Sequence, residues 1–276
     1  MSATPSDRIW STEDVPLDRP NVARMYDYYL GGYHNFAIDR QAAERAIAIY
    51  PDLPLVMQAN RAFLRRAVSF LAHAGIDQFL DIGSGIPTVG SVHEVAQQIN
   101  PAARVVYVDI DPIAVAHSEA ILEGNPHATS IRADARQPDK ILAHPALSAL
   151  LDLRRPVGIL MVALLHFVTD DATAIHLVRR LVDGVGSGSF LALSHATRDT
   201  EAVPPEVREQ MQRLYGGTSS PLIDRPHDKI AQFFDGLELI QPGVVYVPLW
   251  RPEGPDEVFL DQPARSISSG AVGRKA

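Results

Sequence analysis

From residue 76 onward, apolar and polar positions settle into a regular alternation. Short apolar runs of the kind that form buried strands recur between stretches with helical spacing. Strands are expected at Gln78–Ile82, Arg104–Asp109, Thr129–Arg132, Val157–Leu165 and Ser189–Ser194. The intervening helices are expected at Val89–Ile99, Ile113–Leu122, Pro138–Leu151 and Ala172–Val182. Asp111-Pro112 reads as an N-cap with a first-turn proline, and Asp170-Asp171 as the start of another helix. Upstream, residues 21–74 are helical in pattern: Asp39 precedes Ala42, Ala43, Ala46 and Ile47, and Pro54 opens a long segment, Leu55–Ala74, ended by Gly75. Downstream come a helix at Pro204–Leu214, a loop at Pro221–Pro226 and a short helix at Asp228–Phe234. Two last apolar runs, Leu237–Ile240 and Val244–Trp250, flank Pro242-Gly243 as the arms of a hairpin would.

Repeated strand–helix alternation predicts an α/β fold, a mostly parallel sheet covered by helices on both faces. The closing hairpin predicts seven strands with one antiparallel strand at an edge. The division of the chain follows: a loose arm at 1–20, broken by Pro5, Pro16 and Pro20, and a helical extension or lid at 21–75. A ligand-binding core spans 76–255, and a tail at 256–276, rich in Ser, Gly and basic residues, is expected to be disordered.

Composition then removes whole classes of function. The 276 residues contain no cysteine, which excludes disulfides, thiolate metal sites and cysteine nucleophiles. A formal net charge of −8 argues against broad nucleic-acid binding, which needs basic surface to displace counterions. No apolar run approaches the roughly 18 residues of a membrane span, and the N-terminus has no signal-peptide pattern. A cytoplasmic protein acting on a small molecule, without nucleic-acid or membrane partners, is the expectation; the oligomeric state is left open.

The chemistry concentrates where the first expected strand breaks into Gly83-Ser84-Gly85-Ile86-Pro87-Thr88. The next strand closes on Asp109, 24 positions after Gly85. A glycine turn after one parallel strand, with a carboxylate ending the next, is how a nucleoside-binding sheet holds a ribose. A dinucleotide turn wants Gly or Ala where Thr88 stands. Asp81 enters the turn, ill suited to a pyrophosphate and well suited to a cationic ammonium. On charge, S-adenosylmethionine fits better than NAD, and an NAD-dependent oxidoreductase is the less favoured alternative.

Together, Phe79-Leu80-Asp81-Ile82-Gly83-Ser84-Gly85, Val105 to Pro112 and Leu164-Leu165-His166-Phe167 resemble the Rossmann-like class I S-adenosylmethionine-dependent methyltransferases. More closely, the chain is similar to the bacterial "S-adenosyl methyltransferase" family, long known as a domain of unknown function. Segments 23–32, 60–66, 93–96, 194–197 and 233–239 carry that likeness, which covers about residues 18–253. The resemblance implies a transferase moving a methyl group from S-adenosyl-L-methionine to O or N of a small acceptor, leaving S-adenosyl-L-homocysteine. It points to Asp81, Gly83 and Gly85 for the methionine part, Asp109 for the ribose, Ile110 for the adenine face, and Asp134-Ala135 for the adenine edge. A cofactor-binding sensor without catalysis is the alternative from another class.

Other residues carry paired readings. His166, at the carboxyl edge after the fourth strand, is either a general base or a histidine that bonds backbone and shapes the pocket. His195, ending the fifth strand, is a second base candidate. Tyr28, Tyr29, Gly31, Gly32 and His34 form either a hinged lid with its aromatic contacts or a helix packed on the sheet. His93-Glu94-Val95-Ala96-Gln97 lacks the second histidine of a zinc helix, so no metal is expected there.

Overall fold

In the computed structural model, residues 18–87 and 90–276 are described. Most of the expected arm, together with Thr88 and Val89, lies outside them. Three helices open the described chain: Val22–Tyr29 (α1), Ala37–Ile49 (α2) and Leu53–His73 (α3). There follow Gln78–Ile82 (β1), Val92–Ile99 (α4), Arg104–Asp109 (β2), Pro112–Ile121 (α5) and Ala128–Arg132 (β3). Next come Pro138–Leu142 (α6), Pro145–Leu150 (α7), Gly158–Val162 (β4), Asp171–Asp183 (α8) and Phe190–Ala196 (β5). Pro205–Gly216 (α9), His227–Ala231 (α10), Glu238–Leu239 (β6), Val245–Tyr246 (β7) and Ser268–Arg274 (β8) complete the order.

The helix starts follow from local chemistry. Asp111 Oδ1 accepts from Ile113 N and Pro112 occupies the first turn of α5. Asp170 accepts from Thr173 N at 2.7 Å to start α8, and Ser91 with Glu94 forms a capping box at α4. The expected 138–151 helix is broken in two because Pro145 cannot continue α6.

The strands order as β3-β2-β1-β4-β5-β8-β6, with β7 also paired to β8. The first five are parallel. All five residues of β1 are buried, as a strand covered on both faces requires. Its Phe79 packs with α3 and α4 on one face, while Leu80 and Ile82 join the cluster that α8 supplies on the other.

The closing hairpin is not formed. β6 and β7 do not pair with each other; each pairs with β8, at Arg274–Gly273 and Gly270–Ser269 respectively. β8 itself runs antiparallel to β5 along its whole length, from Phe190↔Arg274 to Ala196↔Ser268. The expectation of a disordered tail is therefore overturned. Its small residues are a packing requirement: a Cβ on Gly270 would lie 2.9 Å from Phe63, and one on Gly273 2.9 Å from Phe234. Ala271 and Val272 between them are fully buried.

The N-terminal helices are part of the body. Phe63 and Leu71 of α3 are buried in the same core as β1. Arg24 of α1 is fully buried, pairing with Asp39 of α2 at 2.8 Å and with Asp111 at 3.3 Å. That triad pins α1 and α2 to the end of β2. Among the described residues, no helix is long and apolar enough to cross a membrane.

Candidate functional site

The carboxyl ends of the parallel strands open into a cavity of about 770 Å³, within the size range of small-molecule sites. Because β2 and β3 lie to one side of β1, and β4 and β5 to the other, the cavity has two halves. Asp81, Asp109 and Asp134 line it where β1, β2 and β3 end. Over the ends of β4 and β5 it is lined from α1, α3 and α9.

The glycine turn is stitched to the end of β2. Gly83 N and Ser84 N donate to Val108 O at 2.8 and 3.1 Å, and Gly85 N donates to Asp109 Oδ2 at 2.8 Å. Gly83 has φ +69° and Gly85 φ +62°, the left-handed region that glycine adopts without strain. A Cβ at Gly83 would also come 2.5 Å from the end of the Leu164 side chain, which would have to move.

Two acids in this half hold their protons unusually tightly. Burial pushes Asp81 up to about 7, against the pull of Arg61 and with a further push from Asp109. Burial likewise lifts Asp109 to about 6, although the N–H groups of Asp111 and Gly85 stabilise its charge. Asp134 goes the other way. Partial burial is outweighed by the fork from Arg136, Nη2 to Oδ2 at 2.7 Å, which lowers it. Ile110, half exposed, and Ala135 complete this wall. Asp111, by contrast, is committed to capping α5 and pairing with Arg24.

Sequence reasoning gave Arg61 no role. It lines the cavity from α3 with its Nε buried and without a hydrogen-bond partner, its guanidinium 5.8 Å from the Tyr26 ring. It makes no ion pair among the described residues. Only the spacing along α3, which places it beside buried Asn60 and Leu64, could have flagged it.

The two histidines separate. His166 lines the cavity; its Nδ1 accepts from Ala196 N at 3.4 Å, and its Nε2 makes no hydrogen bond among the described residues. Burial, reinforced by the neighbouring His195 and the Arg225 guanidinium, holds it well below the usual histidine value. His195 is not at the cavity. Its Nδ1 bonds Ala196 O at 2.7 Å and its Nε2 faces Arg225 Nη1 at 2.7 Å, so both nitrogens are spent. Burial lowers it to about 4. Its reading as a base is corrected: it holds Arg225, which also donates to Leu165 O and Val168 O and fixes the loop after β4.

The expected lid residues also divide. Tyr29 lines the cavity, its hydroxyl 3.1 Å from that of Tyr215 on α9. Tyr28, Gly31, Gly32 and His34 do not line it. Tyr28 bonds Glu44 at the surface. The Gly31-Gly32 turn folds over Asp27, whose carboxylate accepts from His34 N and Asn35 Nδ2, both at 2.8 Å. A Cβ on Gly32 would fall 2.0 Å from that carboxylate. Gly32 makes room for the anchor and Gly31 supplies the turn at φ +80°, while α1 contributes to the cavity wall.

A mostly parallel sheet with β8 reversed, a glycine turn tied to an acid, and a ligand-sized cavity at the strand ends together define a class I methyltransferase. The chain belongs to the S-adenosyl methyltransferase family, whose sequence pattern matches residues 8–276. It is an S-adenosylmethionine-dependent methyltransferase. It is similar to a candidate methyltransferase from Thermobifida fusca YX, with 37% identity, a TM-score of 0.88 and coverage of 97% of this chain and 99% of that one. It is also similar to a DUF574 family protein from Streptomyces avermitilis MA-4680, with 40% identity, a TM-score of 0.87 and coverage of 94% and 98%. An O-methyltransferase family protein from Burkholderia thailandensis shares the fold alone, at 12% identity, a TM-score of 0.52 and coverage of 91% and 64%. No curated protein matches the chain.

Proposed function

We propose that this enzyme methylates oxygen or nitrogen of a small molecule, with the cofactor's amino-acid end held between Asp81 and Arg61. The observation that carries this reading is that those two residues line one cavity and feel each other's charge. One cavity wall presents a buried carboxylate, and the same cavity presents a guanidinium whose buried Nε has no hydrogen-bond partner among the described residues. A carboxylate and a guanidinium side by side are the complement of an α-amino acid, which brings an ammonium and a carboxylate. Asp109 takes the ribose hydroxyls on the lone pairs that Gly85 N and Asp111 N leave free. Ile110 covers the adenine face, and Asp134 with Ala135 borders its edge.

Bound S-adenosylmethionine supplies a sulfonium methyl group that transfers by in-line displacement. The protein's work is to align the acceptor and exclude water. His166 fits this as an orienting group. With Nδ1 accepting from Ala196 N, a neutral ring carries its proton on Nε2 and offers a donor to the cavity. Its lowered proton affinity makes it a weak base at neutral pH.

Calorimetric titration of S-adenosylhomocysteine and of 5′-methylthioadenosine, which lacks the amino-acid end, tests the reading. The former is expected to bind at least about tenfold more tightly, the worth of roughly one charge-assisted hydrogen bond. Equal affinities would contradict it.

A further inference from the structure

The half of the cavity over β4 and β5 is walled by α3, α9 and the loop after β4. Its surface is largely apolar: Met57 and Leu64 from α3, Met211 from α9, with Phe167 and Leu222. Several of the polar side chains among them are already engaged. Asn60 accepts from Ser194 Oγ at 2.6 Å and donates to the Tyr26 hydroxyl at 3.0 Å. Tyr26 donates to Met57 O, and Tyr50 to Arg265 O at 3.0 Å. Arg208 and Asp224 neutralise each other at 2.8 Å, and Asp27 turns its carboxylate into the Gly32–Asn35 loop.

Among the donors that remain, two are neutral and buried. In the Tyr29–Tyr215 pair one hydroxyl must donate to the other, which leaves the second O–H unspent. Burial raises both groups, Tyr215 to about 12, so the pair stays uncharged. The other donor is the Nε2–H of His166. Phe167 and Tyr215 stand 6.4 Å apart with their rings tilted by 33°, giving this half an aromatic wall. A charged acceptor placed against these apolar and aromatic side chains would lose its hydration, an expensive exchange.

Building on the cofactor reading above, we infer that the methyl acceptor is an uncharged, largely apolar ring compound. Its hydroxyl oxygen accepts a hydrogen bond from the Tyr29–Tyr215 pair or from His166. Transfer forms an O–CH₃ bond as the S–CH₃ bond breaks. The bonding pair stays on sulfur, which becomes a neutral thioether, and the hydroxyl proton passes to water.

The test uses full-length protein first titrated with S-adenosylhomocysteine. The saturated protein is then titrated with 2-naphthol, 2-naphthoate and 2-naphthylmethylammonium, which share a ring system and differ in charge. The naphthol is expected to bind at least about tenfold more tightly than either ion. Met211→Arg, which puts a charge on the α9 wall, is expected to lose that binding while keeping S-adenosylhomocysteine, so the retained ligand doubles as the folding control. Tighter binding of either ion, no binding of the naphthol, or naphthol binding indifferent to Met211→Arg overturns the inference alone. Tighter binding of the naphthoate would in addition move Arg61 to the acceptor. Failure of S-adenosylhomocysteine itself would overturn the cofactor reading, and this inference with it.

Discussion

Gly85 N and Asp109 Oδ2, 24 positions apart in sequence, meet at 2.8 Å. This bond joins the glycine turn to the end of β2, and it holds the carboxylate where two further oxygen lone-pair sites remain for a ligand. The second oxygen accepts from Asp111 N, so the carboxylate is aimed by backbone on both sides. Replacing Asp109 by Ala removes both the aim and the acceptor. S-adenosylhomocysteine affinity should fall by about thirtyfold or more, the loss of roughly two charge-assisted bonds, with the fold retained by circular dichroism. Unchanged affinity would remove Asp109 from the ribose site.

Binding should depend on pH in a direction set by the raised acids. In the free protein Asp81 titrates near 7 and Asp109 near 6. An ammonium and ribose hydroxyls favour the ionised forms, so binding releases protons between about pH 6 and 7, and affinity weakens as pH drops below 7. For folding the sign is opposite: values raised above the unfolded ones mean these groups favour the folded state more as pH falls from 7 toward 4. His166 and His195, held below the ordinary value, contribute stability that is full above about 6.5 and is lost as pH falls from there through the folded value, about 4 for His195. Because those two contributions oppose each other in a melting curve, the cleaner check is calorimetry in two buffers of different ionisation enthalpy. Zero net proton release at pH 6.5 would count against the assignment.

The Arg24–Asp39–Asp111 triad should matter more for folding than for chemistry. Arg24→Met leaves two buried carboxylates without their cation, a loss of about 3–5 kcal/mol. A fall in Tm on the order of 10 °C is expected for a chain of this size. If Tm moves by only a degree or two, α1 is not anchored in the way its ion pairs indicate.

β8 gives a prediction that also explains what the sequence concealed. Gly270→Val would drive a branched side chain against Phe63 and Leu193 O, and soluble protein should drop sharply. Amides of Leu193 and Ala271 should be among the slowest to exchange, since both lie in the paired interior of the sheet.

The parallel strands were legible because each is a short apolar run bounded by turn residues. β8 was not, because Ser268-Ser269-Gly270-Ala271-Val272-Gly273 has the composition of a flexible tail. Its small residues are dictated by neighbours distant in the chain, Phe63 and Phe234, which a local pattern cannot register. The hairpin failed for the same reason, since Leu237–Ile240 and Val244–Trp250 have β8 as their partner. At the site, Asp81, Gly83, Gly85, Asp109, Ile110, Asp134 and Ala135, the residues to which the family resemblance pointed, all line one cavity. Arg61 and Tyr215 were silent, because each enters from a helix whose placement depends on tertiary packing. His195 misled because a strand-end histidine looks the same in sequence whether it faces a ligand or, as here, a buried arginine.

Arg61 is where the account is most exposed. The most direct measurement is a cycle in which wild type and Arg61→Gln are each titrated with S-adenosylhomocysteine and 5′-methylthioadenosine. The substitution should weaken S-adenosylhomocysteine by about tenfold to a hundredfold and leave 5′-methylthioadenosine within a factor of about two, because only the former has a carboxylate to lose. Equal loss for both ligands, or no loss for either, would contradict the placement of the amino-acid end between Asp81 and Arg61.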